Sequence, residues 1–195
     1  SQEKPAFTWW VINRLAFLVA ASNLASFLLY FLQERFPGLQ GNAAAQPATL
    51  LVMATGIAIL LAALPAGWLA DKIGTKPVLA VSGIMAAAGT LVVIAAQDMS
   101  TMTVGAVLVG VASGAFYSAN WALGTQIVPK KEAGRYLGIS NLAGAGAGAT
   151  GAYIGGPIGD SSGYVVQMAI YAALFLFSTL ALLRIKPANH KAEPA

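Results

Sequence analysis

Residues 67–76 read GWLADKIGTK and separate two long apolar runs of the chain. Asp71 and Lys72 are followed by Gly74, which permits a tight turn that most other residues resist. An aspartate at such a turn is an anion that the N–H groups at the start of another helix can bind, because the helix dipole is positive there. We therefore predict a helical hairpin whose charged turn lies at a membrane surface.

The composition of the whole chain supports a membrane location. Of its 195 residues, 57% are hydrophobic and only 9% are charged, whereas ordinary soluble domains carry about 25% charged residues. A single soluble domain of this size has too little interior to bury so many apolar side chains. We therefore expect the lipid bilayer to be its solvent. The net charge of +4 does not indicate a nucleic-acid partner, because the basic residues lie in short loops.

The apolar runs are long enough for transmembrane helices, each of which needs roughly 20 apolar residues. They are apolar all round and so lack the alternation of a lipid-facing β-strand. The predicted fold class is therefore an all-α membrane protein, a single domain over residues 1–195 with six transmembrane helices. The expected spans are residues 9–32, 47–69, 77–96, 101–127, 136–158 and 165–183.

Six spans would place both termini and two of the loops on one side of the membrane. Ten of the eleven basic residues fall on that side, and only Arg35 falls on the other. The ten are Lys4, Arg14, Lys72, Lys76, Lys130, Lys131, Arg135, Arg184, Lys186 and Lys191. Basic residues accumulate on the cytoplasmic side of membrane proteins. The sequence therefore predicts an integral protein of the cytoplasmic (plasma or inner) membrane with both termini in the cytoplasm.

Small residues recur every four positions in the fifth predicted span. Small residues at this spacing allow helix backbones to approach closely in lipid, and a proline removes one helical hydrogen bond. One interpretation is tight packing within the bundle; the other is a helix that slides or bends against a moving neighbour. The candidate packing residues are Gly144, Gly148, Gly151, Gly155, Gly156 and Pro157.

The residue inventory argues against an enzyme. Cysteine is absent, and the single histidine, His190, lies in the polar C-terminal tail. The acidic residues fall near span ends or in loops, so no carboxylate pair for acid–base chemistry is visible within a span. We therefore expect no catalytic residues, no metal site and no cofactor.

The sequence at residues 67–76 resembles the signature loop of the major facilitator superfamily. Thr75 departs from the pattern, since the family usually has a basic residue there. The resemblance implies a gating loop in which the aspartate binds a helix start in the opposite half of the transporter, here near residues 133–136 of a partner half. The matching gating-loop residues are Gly67, Asp71, Lys72, Gly74 and Lys76.

Members of this family contain two six-helix repeats with the substrate between them. The resemblance therefore implies that this chain is one repeat half of the major facilitator fold. It could be a native half-size protein, one member of a split pair, or a separated half of a longer transporter. In each case we expect it to work with a second six-helix half, as a homodimer or beside a homologous half.

The resemblance also implies that the first, second, fourth and fifth helices of a half face the centre. The first and fourth predicted spans are richer in polar residues than the third and sixth. The candidate substrate-binding residues are Arg14, Asn23, Ser26, Tyr30, Tyr117, Asn120 and Trp121. Such groups suit a neutral or amphiphilic small solute, although the uncharged ones equally suit hydrogen bonds between helices. Arg14 could line a cavity or extend its side chain to the headgroups.

The function that these features predict is transport of a small organic solute by alternating access, with the help of a second half. The alternative is a non-transporting membrane assembly or scaffold subunit that reuses half of the transporter fold.

Overall fold

A computed structural model of the chain describes residues 3–128 and 132–185. Its helices in these ranges are α1 (Glu3–Ser26), α2 (Leu28–Arg35), α3 (Ala45–Ile73), α4 (Thr75–Ala95), α5 (Met99–Ile127), α6 (Ala133–Ser162) and α7 (Tyr164–Ala181). Short 3₁₀ turns precede α3 at Gly41–Ala44 and follow α7 at Leu182–Arg184. The chain is therefore an all-helical bundle within the described residues.

Four single helices are long and apolar enough to cross a membrane: those that contain α3, α4, α5 and α7. The α1–α2 pair passes the same test when it is taken as one bent span. The helix α6 has 30 residues and is long enough, but it is rich in glycine and serine and lies outside this group. The described residues thus contain four or five apolar spans, and the fifth predicted span, residues 136–158, stays a prediction.

The first predicted span is broken rather than straight. The axes of α1 and α2 differ by 56°, and Phe27 lies between the two helices. Just before this point the hydroxyl of Ser26 donates to the carbonyl of Ser22 at 3.0 Å, and the amide of Asn23 donates to the carbonyl of Val19 at 2.8 Å. Side chains that bond to the preceding helical turn in this way bend helices.

Six of the seven described helices, all except α2, form two groups of three. In one group α5 packs against both α3 and α4, and in the other α1 packs against both α6 and α7. Contacts between α4 and α7 and between α1 and α5 join the groups. Three fully buried aromatic rings fill this junction: Phe17 stacks on Phe116 at a centroid distance of 3.6 Å and meets Phe175 edge to face at 4.8 Å.

Glycine allows α3 and α5 to touch along their backbones. A Cβ atom at Gly110 would lie 2.6 Å from the carbonyl oxygen of Thr55, and one at Gly114 would lie 2.3 Å from that of Ile59. Backbone atoms at such distances cannot move aside without separating the helices. Near the C-terminal end of α3, a Cβ atom at Gly67 would lie 2.7 Å from the hydroxyl of Ser118. The α3–α5 pair is therefore a rigid wall of the bundle.

Two tight connections bring helix ends together at opposite rims. Gly74 joins α3 to α4 with a φ of 94°, and Gly163 joins α6 to α7 with a φ of 87°; both values favour glycine. We call the end of the bundle that contains Lys72, Lys76 and Arg184 the basic rim, and the other end the acidic rim. At the acidic rim a carboxylate oxygen of Glu34 accepts a 2.6 Å hydrogen bond from the backbone N–H of Tyr164.

Candidate functional site

A chain of hydrogen bonds crosses the bundle from α7 through α1 to α5. The amide nitrogen of Asn13 donates to the carbonyl and hydroxyl oxygens of Ser178, both at 2.8 Å. The side-chain oxygen of Asn13 accepts a 3.0 Å bond from the amide of Asn120, and the oxygen of Asn120 accepts a 2.9 Å bond from Nη1 of Arg14. We call these four residues the polar chain. Three of its members are fully or almost fully buried, whereas Arg14 is partly exposed.

The guanidinium of Arg14 points along the bundle interior toward α5 and α6. It lies 5.2 Å from the centre of the Trp121 ring, and Tyr117 lies one helical turn before Asn120 and Trp121 on α5. Both aromatic side chains remain open on one side, since 41% of Trp121 and 37% of Tyr117 are exposed. Four predicted substrate-binding residues, Arg14, Tyr117, Asn120 and Trp121, therefore lie together in one site.

The other three predicted substrate-binding residues lie toward the acidic rim. Asn23 is fully buried, and its amide approaches the carbonyl of Ala147 on α6 at 3.4 Å. Ser26 is exposed and bonds within its own helix. Tyr30 stacks on Tyr164 at a centroid distance of 5.5 Å. The structure does not bring these residues to the Arg14 site.

The predicted packing residues of α6 fall into different surroundings. A Cβ atom at Gly151 would lie 1.9 Å from the amide of Asn23, and one at Gly155 would lie 2.5 Å from both Gln167 and Tyr171. These two glycines hold α6 against α1 and α7. At Gly148 the nearest atom would be 4.0 Å away.

The remaining three packing candidates are Gly144, Gly156 and Pro157. Gly156 has open space around it, and α6 continues through Pro157 as one helix. A Cβ atom at Gly144 would lie 3.2 Å from Leu18 and 3.7 Å from both Nε and Nη2 of Arg14. Gly144 therefore borders the Arg14 site.

In the predicted gating loop both lysines have a contact, whereas the aspartate has no partner among the described residues. The ammonium of Lys72 lies 3.8 Å from the centre of the Trp68 ring, and that of Lys76 donates to the carbonyl of Ile185. Asp71 is exposed, and no hydrogen bond or ion pair joins it to another described residue. It borders a cavity of about 600 Å³ at the basic rim, which Gly74, Lys76 and Gln126 also line.

Comparison with known proteins now bears on the whole chain. The family model described as "Major Facilitator Superfamily" matches residues 8–195. The chain belongs to the major facilitator superfamily. It is therefore an integral membrane protein of a transporter family and not an enzyme.

One curated transporter is similar in sequence to part of this chain. Over 134 residues, which are 68% of this chain, the sequence is 28% identical to the protein named "Minor myo-inositol transporter IolF" of Bacillus subtilis (strain 168). The matched part of the chain spans 30% of the length of that transporter.

In this member of the superfamily an apolar cavity lies toward the acidic rim from the Arg14 site. It has a volume of about 260 Å³ and lies between α1, α3 and α5, with Ala21, Thr55, Ser113 and Tyr117 among its lining residues. Tyr117, one helical turn before Asn120 on α5, is the candidate substrate-binding residue that lines this cavity. Within the described residues, no three His, Cys, Asp or Glu side chains come together to hold a metal ion.

Sequence reasoning missed two members of the polar chain, Asn13 and Ser178. They lie 165 positions apart, and no local pattern pairs residues at that separation. Asn13 carried one signal, since it is a polar residue directly before the only arginine within a span. Trp10 was also missed; its indole N–H donates to the backbone carbonyl of Asn120 at 3.1 Å.

Proposed function

We propose that this chain forms one six-helix half of a transporter and moves a small organic solute by alternating access together with a second half. The observation that carries the proposal is the Arg14 site, which holds a partly buried guanidinium between two helices of a transporter-family chain. A charge within a membrane span is costly and marks a substrate or ion pathway. Partly open aromatic rings beside it provide the kind of wall that small solutes bind.

The exposed faces of α3 and α6 support a second half. On α3, exposed apolar residues recur at helical spacing, and 84% of Leu64 is exposed. On α6, 85% of Tyr153 is exposed, and the polar residues Asn141 and Thr150 are exposed as well. Lipid would cover the apolar groups, but polar side chains in a span normally face protein or a water-filled cavity. We therefore assign α6 to an interface with the second half.

The helix α6 is proposed as the fifth of the six spans, the one that the hydropathy of the helices leaves open. Its 30 residues correspond to roughly 45 Å of helix, more than the roughly 30 Å of a hydrocarbon core. It packs lengthwise against α1 and α7, which both belong to apolar spans. Its low hydropathy follows from its glycines, which a helix at a protein interface tolerates better than a lipid-facing one.

The proposed location is the cytoplasmic membrane, with the basic rim and both termini in the cytoplasm. Lys130, Lys131, Lys186 and Lys191, which contribute to this orientation, lie outside the described residues, as does the side chain of Lys4. Because the chain has no cysteine, Asp98→Cys and Lys130→Cys provide single labelling sites. In intact cells an impermeant maleimide should label position 98 and not position 130; the reverse result would overturn the orientation.

Asp71 is proposed as the latch between the halves. Its carboxylate is exposed at the basic rim and has no partner within residues 3–128 and 132–185, and the matching start of α6 in the second half, near Gly134 and Arg135, would offer unpaired N–H groups. An anion at a helix start is stabilised by about 0.3–1 kcal/mol when exposed and by up to about 2 kcal/mol when partly buried. Breaking this contact should favour the state that is open to the cytoplasm.

Uptake into proteoliposomes tests the proposal. The relative is named as a myo-inositol transporter, so myo-inositol is one probe and a panel of small organic acids is the other. The purified assembly should contain two halves, either as a dimer of the 20.0 kDa chain or with a homologous half. A stoichiometric complex with an unrelated protein, without uptake of any probe, would instead support an assembly or scaffold subunit.

A further inference from the structure

Arg14 has no carboxylate partner at its own depth. It lies eleven residues into α1, about 16 Å from the start of the helix. The acidic residues of the described ranges lie at or near helix ends. A charge in such a place needs a compensating partner. Nothing in the described parts of the chain supplies one.

The free edge of the guanidinium has a defined geometry. Nη1 donates to Asn120, Nε is buried without a hydrogen-bond partner, and no hydrogen bond joins Nη2 to a described residue. The edge formed by Nε and Nη2 is one that can receive two oxygens of a carboxylate or phosphate in parallel. Asn120 therefore fixes one end of the guanidinium, while the Nε–Nη2 edge has no hydrogen-bond partner among the described residues.

Gly144 leaves that edge uncovered by any side chain of α6. A Cβ atom at this position would be equidistant from Nε and Nη2, at 3.7 Å from each. Even an alanine would therefore place a methyl group over both donors. The next glycine with open surroundings on the same helix, Gly146, has nothing within 4 Å and offers a matched control.

An apolar cavity lies one helical turn along α5 from the same site. Tyr117 lines this cavity of about 260 Å³ and lies one turn before Asn120, which binds Arg14. Thr55 and Ser113 are the other polar residues of that cavity, and its wall is otherwise apolar or glycine. A ligand that places an oxyanion at Arg14 would thus lie with its remaining atoms beside an apolar surface.

We infer that the solute of the proposed transporter is an amphiphilic organic anion, with its carboxylate or phosphate on the Nε–Nη2 edge of Arg14 and its apolar part in the adjoining cavity. This inference rests on the proposed function and adds the class of solute. The same oxyanion chemistry could come from a soluble acid or from the phosphate of an anionic lipid.

Binding of matched acid–amide pairs tests the inference. The full chain, in the assembly in which it purifies, is placed in phosphatidylcholine nanodiscs and titrated with propionate, benzoate and 2-naphthoate and with the corresponding amides. At least one carboxylate should bind at least tenfold more tightly than its amide. Arg14→Gln should weaken binding of that carboxylate roughly 10- to 100-fold, as expected when a charge-assisted hydrogen bond is lost. It should leave binding of the amide unchanged.

Two further variants separate the site from a general charge effect. Arg184 also carries its guanidinium over a tryptophan ring, 5.4 Å from the centre of Trp9, so Arg184→Gln removes the same charge outside the site and should preserve the carboxylate preference. Gly144→Ala should weaken binding of the carboxylate, whereas Gly146→Ala should not. A preference that persists in Arg14→Gln, or no preference in any pair, would overturn the inference.

The membrane composition distinguishes the two sources of the oxyanion. If phosphatidylglycerol in the nanodisc competes with benzoate in the wild type but not in Arg14→Gln, the occupant is a lipid headgroup; without competition it is a soluble acid. Failure of the proposed transport function can be distinguished from failure of the inference about the solute. Uptake of myo-inositol that is unaffected by Arg14→Gln would overturn the anionic solute and leave transport standing, whereas selective acid binding without any uptake would contradict transport alone.

Discussion

Replacing Asn120 with alanine should damage the polar chain at its centre. Asn120 accepts from Arg14 at 2.9 Å and donates to Asn13 at 3.0 Å. The amide of Asn13 is already bonded to Ser178, so Asn13 cannot turn its side chain to recover the lost donor. The substitution therefore leaves a buried acceptor and a guanidinium donor unpaired.

The expected loss follows from these two contacts. A hydrogen bond to a charged group contributes about 1.5–3 kcal/mol, and one between neutral side chains in a membrane protein contributes about 0.6 kcal/mol. We expect Asn120→Ala to lower the free energy of unfolding by about 2–3 kcal/mol. The indole of Trp10 should stay in place, because it bonds to the backbone carbonyl of Asn120 rather than to its side chain.

The assay is reversible unfolding of the purified chain in bicelles, with Thr90→Val as the matched control. Thr90 is fully buried, but its hydroxyl bonds only to Ala86 in its own helix, so Thr90→Val should cost about 0.5 kcal/mol or less. If Asn120→Ala costs no more than Thr90→Val, the polar chain does not join the helices, and the reasoning for the Arg14 site fails with it.

Two further predictions concern packing and pH. Gly114→Ala would bring a Cβ atom to 2.3 Å from the carbonyl oxygen of Ile59 and should lower the free energy of unfolding by about 1–3 kcal/mol. Gly56→Ala, where a Cβ atom would have nothing within 4 Å, should not lower it. A similar loss in both variants would refute the close α3–α5 contact. Hydrogen bonds from the backbone and hydroxyl of Thr101 lower the pKa of Asp98 below 3.8. The cap stabilises α5 above the unfolded pKa of Asp98 and is lost as the pH falls through its folded pKa. The protection of the Thr101 amide, taken relative to its intrinsic exchange rate at the same pH, should therefore fall in that range. The same pH dependence of protection in Asp98→Ala would contradict this.

Much of the bundle followed from the sequence because its signals are local. The apolar runs and the glycine between two of them predicted the α3–α4 hairpin, whose turn lies at Gly74. The break at Phe27 was not predicted. It depends on side chains such as Ser26 that bond to the preceding turn, and serine within an apolar run does not by itself distinguish a bend from a straight helix.

The candidate site was only partly accessible to sequence reasoning. Arg14 was found because a charge within an apolar span is rare, and Asn120 and Trp121 because they lie three and four residues after Tyr117, within one broad helical stripe. Asn23 belongs to the same kind of polar stripe, yet it packs against α6 near Gly151. Hydropathy and spacing cannot separate these outcomes, because both a solute site and a helix contact require polar or small residues at helical spacing.

The most direct test of alternating access uses a single cysteine at the site. Tyr117→Cys, in the otherwise cysteine-free chain, is reconstituted with its second half and labelled with an impermeant maleimide from either side of the vesicle. We expect labelling from both sides. Asp71→Asn should increase the rate from the side of the basic rim and decrease it from the other, by about two- to fivefold for a latch of 0.3–1 kcal/mol, while Lys72→Gln has little effect. Labelling from one side only, at rates that Asp71→Asn leaves unchanged, would contradict alternating access by this chain.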